Sequence, residues 1–308
     1  MKLFLKLIIV FSVIYSSNAQ TKNGFDLKNS CISLEDIKSG GPPRDGIPSI
    51  DKPKFTNALE SEISSDARIL GVYINGIAKA YPISILNYHE IVNDYFGEKP
   101  VVITYCPLCG SGIAFIAEVN GKKLTFGVSG LLFNSDVLLY DRQTESLWSQ
   151  LKYEAISGKL LGEKLTVLNT ANTTWENWKE KHPNTLILSE NTGFIRDYSQ
   201  NPYPDYNTSS AIYFPVKNND DRFHPKEMVI GIEINGKTKA YPYSELKKLN
   251  GTLLEDTFAG QKLKIKYDSK AQSAEILDAS GNLLPAITNF WFAWYAFNPD
   301  TEVYQYGK

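Results

Sequence analysis

Two stretches of this 308-residue chain are near copies of one another. Gly71–Leu86 reads GVYINGIAKAYPISIL and Gly231–Leu246 reads GIEINGKTKAYPYSEL; ten of the sixteen positions are identical at a constant offset of 160. Each copy runs into Asn-Gly (Asn75-Gly76, Asn235-Gly236), which suits a two-residue hairpin turn because both residues accept positive φ. Each then closes a second strand with Ala-Tyr-Pro and reaches a helix start at Ser84 or Ser244. The repeat predicts two related β-rich modules, at 66–119 and 227–277, with an insertion at 120–226 between them. All of this belongs to a single compact domain, 66–308, preceded by a turn-rich lead-in at 20–65. The expected class is α+β, predominantly antiparallel β, with inserted hairpins and short helices. The hairpins and alternating strands argue against a parallel doubly wound sheet.

The differences between the copies carry the functional argument. After Ser244, Leu246 and Leu249 lie three apart on one helix face and pack inward. The matching residues of the first copy are Leu86 and His89, so a histidine stands where its twin has a core leucine. With a two-residue shift, Leu263–Asp268 (LKIKYD) matches Val101–Cys106 (VVITYC). The second copy alternates apolar with charged residues, the pattern of a strand with one wet face. In the first, that face carries Val102, Thr104 and Cys106. It has lost its charges, so another part of the chain is expected to cover it.

Cys106-Pro107-Leu108-Cys109, followed by Gly110-Ser111-Gly112, then sits on a strand–turn–strand. Two intervening residues let both sulfurs point into one small volume. Three uses compete: a metal site, a redox disulfide, and a structural staple. Cys-Pro-x-Cys-Gly resembles the knuckle of rubredoxins and zinc ribbons, but a zinc ribbon needs a second knuckle and the sequence has none. A thioredoxin-like pair would precede a helix, whereas Ile113–Ile116 reads as a strand. Cys31 is the third cysteine, open to use as a ligand, as an exchange partner or as a small buried residue. A Cys–His hydrolase fits poorly, because Pro107 denies an oxyanion hole the next backbone N–H.

Met1–Ala19 reads as a secretory signal: Lys2 and Lys6, an apolar core at Leu7–Tyr15, and small residues before cleavage after Ala19. The mature protein is therefore expected to be exported, periplasmic or extracellular, with no transmembrane span. In an oxidising compartment a bare CxxC closes into a disulfide unless a metal or a reductant keeps it open. The net charge of −2 and the absence of a basic stripe exclude nucleic acid as a partner. No nucleotide or organic cofactor is indicated. The remaining partners are a metal ion, or a small-molecule or protein thiol.

A dense block follows at Phe126–Gln150. There Ser129, Asn134, Asp141, Trp148 and Gln150 interleave polar groups with large apolar ones, as candidates to line a pocket. Their alternative use is to satisfy the turns of their own hairpin. Thr174–Lys181 reads as a helix ended by His182-Pro183, and Asn289–Phe297 as a buried helix closing the core, with a membrane-interface anchor as the alternative.

HEIVND (89–94), TYCPLCG (104–110), SGLLFNSDVLLYDRQTESLWSQ (129–150) and FWFAWYAFNPDTEVY (290–304) together resemble the exported bacterial family catalogued as domain-of-unknown-function family 3179. The resemblance covers nearly all of the mature chain and implies one site built from Cys106, Cys109 and His89, without naming what it binds. Two thiolates and an imidazole form a soft set suited to copper(I) or zinc(II), with copper favoured. Only one methionine, Met228, follows the signal, so the chain is no Met-rich copper carrier. The leading expectation is a soft-metal protein, used for metal handling or metal-dependent chemistry. The alternatives are thiol–disulfide exchange through Cys106 and Cys109, and a binding module with a structural CxxC turn.

Overall fold

The computed structural model describes residues 20–308, so the signal expected at residues 1–19 lies outside the described residues. Among the described residues short antiparallel strands dominate, in five sheets of three to five strands and two two-stranded ribbons, with four helices of five to seven residues. This set of small, separately bonded sheets resembles the blades of a five-bladed propeller.

Both copies of the repeated sequence fold alike. Arg68–Ile74 pairs with Ile77–Pro82, and Met228–Ile234 with Lys237–Pro242, each through its Asn-Gly turn with both residues at positive φ. A short helix follows, Ile83–His89 in the first copy and Tyr243–Lys247 in the second. Each begins one residue before the serine expected to cap it, directly after the fixed proline. Three antiparallel strands come next: Ile91–Phe96, Lys99–Cys106 and Ser111–Ile116 in the first copy, Leu254–Phe258, Gln261–Asp268 and Ser273–Asp278 in the second.

The likeness extends further than the repeated sixteen residues. Thr170–Thr174 and Leu186–Leu188, within the stretch expected to be an insertion, flank the first hairpin, one antiparallel and one parallel. Ile287–Phe290 and Glu302–Val303 flank the second hairpin in the same senses. A helix joins each flanking pair, Trp175–Lys181 and Trp291–Phe297. Each helix lays one indole on the hairpin, Trp178 on Gly71 and Trp294 on Gly231, where a Cβ would run into the ring. Each indole N–H donates to a threonine seven residues on, Trp178 to Thr185 at 2.9 Å and Trp294 to Thr301 at 3.0 Å. The underlying motif, Trp-x-x-Trp-x-x-x-x-Pro-x-Thr, occurs at 175–185 and 291–301 but is too sparse to stand out by eye. Because the bonded ring cannot swing aside, Gly231→Ala is expected to cost about 1–3 kcal/mol, the usual range for overpacking. Urea denaturation measures it; an unchanged midpoint would contradict the tight seat.

Each copy also holds an ion pair between its hairpin and the strands that follow, buried in the first copy and half-buried in the second. Lys79 Nζ meets both carboxylate oxygens of Asp94 at 2.8–2.9 Å, and the Tyr81 hydroxyl donates to Asp94 at 2.6 Å. Lys239, Asp256 and Tyr241 repeat the arrangement at 2.6 and 2.8 Å, in a more open setting.

The uncharged face of the first copy is covered, as expected. The hairpin of Phe126–Phe133 and Asp136–Asp141 supplies the cover, so Val102 and Cys106 share one apolar core with Phe126, Val128, Leu139 and Trp148. Residues 189–227 form no strand or helix, yet Tyr206 from this stretch enters the same core.

Candidate metal centre

The site is where two hairpin tips meet. In the first, Cys106 pairs with Ser111 across the turn Pro107–Gly110, and the Cys109 amide donates to the Cys106 carbonyl at 3.2 Å. Gly110 takes φ +60°, and a side chain there would press on the Phe290 ring at 3.0 Å. The Phe290 amide in turn donates to the Cys109 carbonyl at 2.8 Å, so the second copy's flanking strand pins the turn.

The covering hairpin provides the second tip. Asn134 and Ser135 both adopt positive φ, 51° and 66°, making the tight two-residue turn that matches strand twist. This turn sets the Ser135 carbonyl over both thiols, 3.4 Å from the Cys109 sulfur and 3.8 Å from that of Cys106. The next residue, Asp136, brings a carboxylate oxygen within 4.8 Å of both sulfurs, and all three side chains are buried. One Asp136 oxygen accepts from the Leu151 amide at 3.0 Å; Oδ1 has no partner, nor has the neighbouring Ser135 hydroxyl. An unpartnered buried carboxylate oxygen beside two thiols fits a metal ligand set, because such an atom is costly to leave idle.

Electrostatics point the same way. Burial pushes the Asp136 carboxyl up to about 7 and raises both thiols, Cys109 well above its ordinary value. Glu90, which ends the Ile83–His89 helix at φ +56°, is pushed up to about 8 by burial and by the charge of Asp136. Four acidic groups therefore crowd one dry volume, each holding its proton for want of a positive charge. In the metal-free protein this has a defined sign. Asp136 and Glu90 keep protons in the native state up to about 7 and about 8, but lose them in the unfolded chain near 3.8 and 4.5. Stability is therefore expected to fall as pH rises from about 4 to about 8, by up to about 1.4 kcal/mol per pH unit for each group. Denaturation of Asp136→Asn across that window should give a slope shallower by one proton; an unchanged slope would contradict the assignment.

The structure does not bring His89 into this group. Its Nδ1 bonds the Pro48 carbonyl and its Nε2 the Tyr198 hydroxyl, both at 2.7 Å, so both ring nitrogens are committed elsewhere. Burial also lowers its pKa, as for a neutral structural histidine. From this helix end it is the neighbour, Glu90, that interacts by charge with Asp136 and Cys106. Cys31 is exposed and outside the group, so the reading of it as a small buried residue gives way.

The five residues considered for a pocket wall are all buried and bonded within the protein instead. Ser129 bonds the Leu138 carbonyl and the Leu131 amide, and Asn134 bonds the Ala296 carbonyl and the Lys217 amide. Asp141 accepts from Thr144 and from the Trp148 indole, fixing its own turn. Gln150 bonds the cysteine hairpin directly, accepting from the Ser111 hydroxyl at 2.6 Å and donating to Thr104 Oγ1 at 2.8 Å. That network holds the two strands of the cysteine hairpin from behind.

Asp136 was missed, although a signal for it exists. It is the first residue after a two-residue turn in a hairpin otherwise apolar along LLFNSDVLL, where no solvent is available to a carboxylate. The second copy supplies a comparison. Asp268 takes the place of Cys106, pairing with Ser273 as Cys106 pairs with Ser111. Its Oδ1 accepts from the Lys270 and Ala271 amides, both at 2.9 Å, so a carboxylate ties the turn where the first copy has its cysteine pair.

No curated protein and no solved structure matches the chain. A family model described as protein of unknown function (DUF3179) matches residues 44–282, most of the chain, and the protein belongs to that family.

Proposed function

We propose that this is an exported metal-binding protein whose ion is held by Cys106, Cys109 and Asp136. The observation that carries the reading is the convergence of three buried ligand atoms from two separate hairpins, one of them a carboxylate oxygen without a partner. Replacing the imidazole of the expected set by a carboxylate moves the preference away from copper(I), which favours wholly soft donors. Zinc(II) accepts thiolate and carboxylate together and becomes the best match. Three protein donors leave a fourth position, and Glu90, coupled by charge to Asp136, keeps its proton up to about pH 8. Binding would displace the thiol and carboxyl protons, so affinity should tighten as pH rises.

Thiol–disulfide exchange is less well supported. Both thiols are buried and raised, so few thiolates exist at neutral pH to attack an incoming disulfide. A purely structural turn leaves the unpartnered Asp136 oxygen without a purpose.

On this reading the chain holds two related halves, each a hairpin, a helix, a three-stranded meander and a flanking strand–helix–strand. Only the first carries the metal; the second keeps the scaffold. The test is elemental analysis of anaerobically purified protein, with Cys106→Ser and Cys109→Ser alongside. Near-stoichiometric zinc lost in both variants supports the proposal. Metal-free wild-type protein that also fails to take up added zinc, copper or iron would overturn it.

A further inference from the structure

On the outer side of the cysteine turn lies a pocket of about 390 Å³, within the size range of small-molecule sites. Pro107 and Gly110 form one wall, Tyr203 and Tyr206 from the strand-free stretch another, and both halves of the chain contribute to it. Two cations line it, Arg68 and Lys226, and no carboxylate does. Neither cation has an acidic partner within 4.0 Å among the described residues. Arg68 is held by the Ala271 carbonyl at 2.5 Å and by Asn172, and Lys226 by the Ala211 carbonyl at 2.6 Å, 4.0 Å from the centre of the Tyr206 ring. Lys226 is only 5% exposed, and burial pushes it down to about 8. Tyr206 is 2% exposed, and its hydroxyl has no partner.

A buried cation without an anion, as Lys226 is, is unfavourable, and the half-buried Arg68 in the same pocket adds to the cost, unless a ligand brings the missing charge. Neutral carbonyls and an amide fix both heads in place without neutralising them, the arrangement that preorganises an anion site. We infer that this pocket binds a small oxyanion-bearing molecule, a carboxylate or a phosphate, clamped between Arg68 and Lys226. The inference is independent of the metal.

The test is calorimetric titration of the purified protein with citrate, glucose 6-phosphate, inorganic phosphate and neutral glucose, at constant ionic strength to suppress diffuse charge effects. Saturable binding of at least one anion, and not of glucose, is expected; the anion bound identifies the carboxylate or the phosphate source. Arg68→Gln and Lys226→Gln should each weaken it about tenfold or more, the scale of one charged hydrogen bond. Lys270→Gln, at an exposed lysine outside the pocket, should change it less than about twofold. Equal loss in the Lys270 variant, binding of glucose as tight as that of the anions, or no binding by any anion would overturn the inference. Should either pocket variant fail to fold, backbone amide shifts in the wild-type protein decide. Shifts centred on Gly110 and Lys226 support the site, and shifts confined elsewhere overturn it.

Discussion

Asp136→Asn is expected to weaken metal binding by more than about 100-fold, whereas His89→Gln should leave the bound metal near one per chain. Asparagine keeps the shape of the side chain and its reach to the Leu151 amide, so the fold is preserved while the anionic donor is lost. Loss of a partner outside the ligand set costs about 10–100-fold, and loss of a ligand should exceed that. His89 has spent both ring nitrogens on Pro48 and Tyr198, so its replacement should lower stability instead. Competition titration against a chelator of known affinity gives both numbers. The opposite ranking, with His89 needed and Asp136 dispensable, would return the site to the soft set that the sequence suggested.

The second large effect concerns the fold. Asp94→Ala is expected to destabilise the protein by about 3–5 kcal/mol, because it strands the Lys79 ammonium where water is scarce. The aspartate accepts from Lys79 and Tyr81 and is itself buried, so its removal leaves the Tyr81 hydroxyl without an acceptor and the Lys79 ammonium with only the Tyr95 carbonyl and no counter-charge. Asp256→Ala, the same change in the second half, should cost clearly less. There both partners are more exposed, and Glu302 stands 3.9 Å from Lys239 as a second carboxylate. Replacing the first pair together, as Lys79→Met with Asp94→Leu, should recover most of the loss, since an apolar pair of similar size has no charge to strand. Urea denaturation of the four proteins measures all three differences; equal costs for Asp94→Ala and Asp256→Ala would contradict the burial argument.

The repeat made the fold legible. Ten identities in sixteen, with Asn-Gly in both copies, located two hairpins, their short helices and the strands after them. The missing charges on the face of Val102, Thr104 and Cys106 foretold a covering element, and the Phe126–Asp141 hairpin is that element. What the repeat left out was the strand–helix–strand flank, whose two examples share only tryptophans, a proline and a threonine. Those few residues suffice because they fix one geometry, an indole on a glycine with its N–H bonded seven residues on.

The site was legible by half. Cys106 and Cys109 announce themselves by spacing, since neighbours in sequence must be neighbours in space. The third residue of the group that could hold a metal, Asp136, comes from a hairpin some thirty residues away, and only the packing of two tips joins them. His89 drew attention as a histidine replacing a core leucine, and the structure puts it to a core residue's use, buried and fully bonded. The helix ends at His89, and it is the next residue, Glu90, whose charge couples to Asp136 and Cys106.

X-ray absorption spectroscopy of the metal-loaded protein tests the central claim most directly. The account predicts two sulfur scatterers at about 2.3 Å, with oxygen at about 2.0–2.2 Å and no imidazole signature. An imidazole pattern, or a first shell without sulfur, would contradict the Cys106–Cys109–Asp136 site.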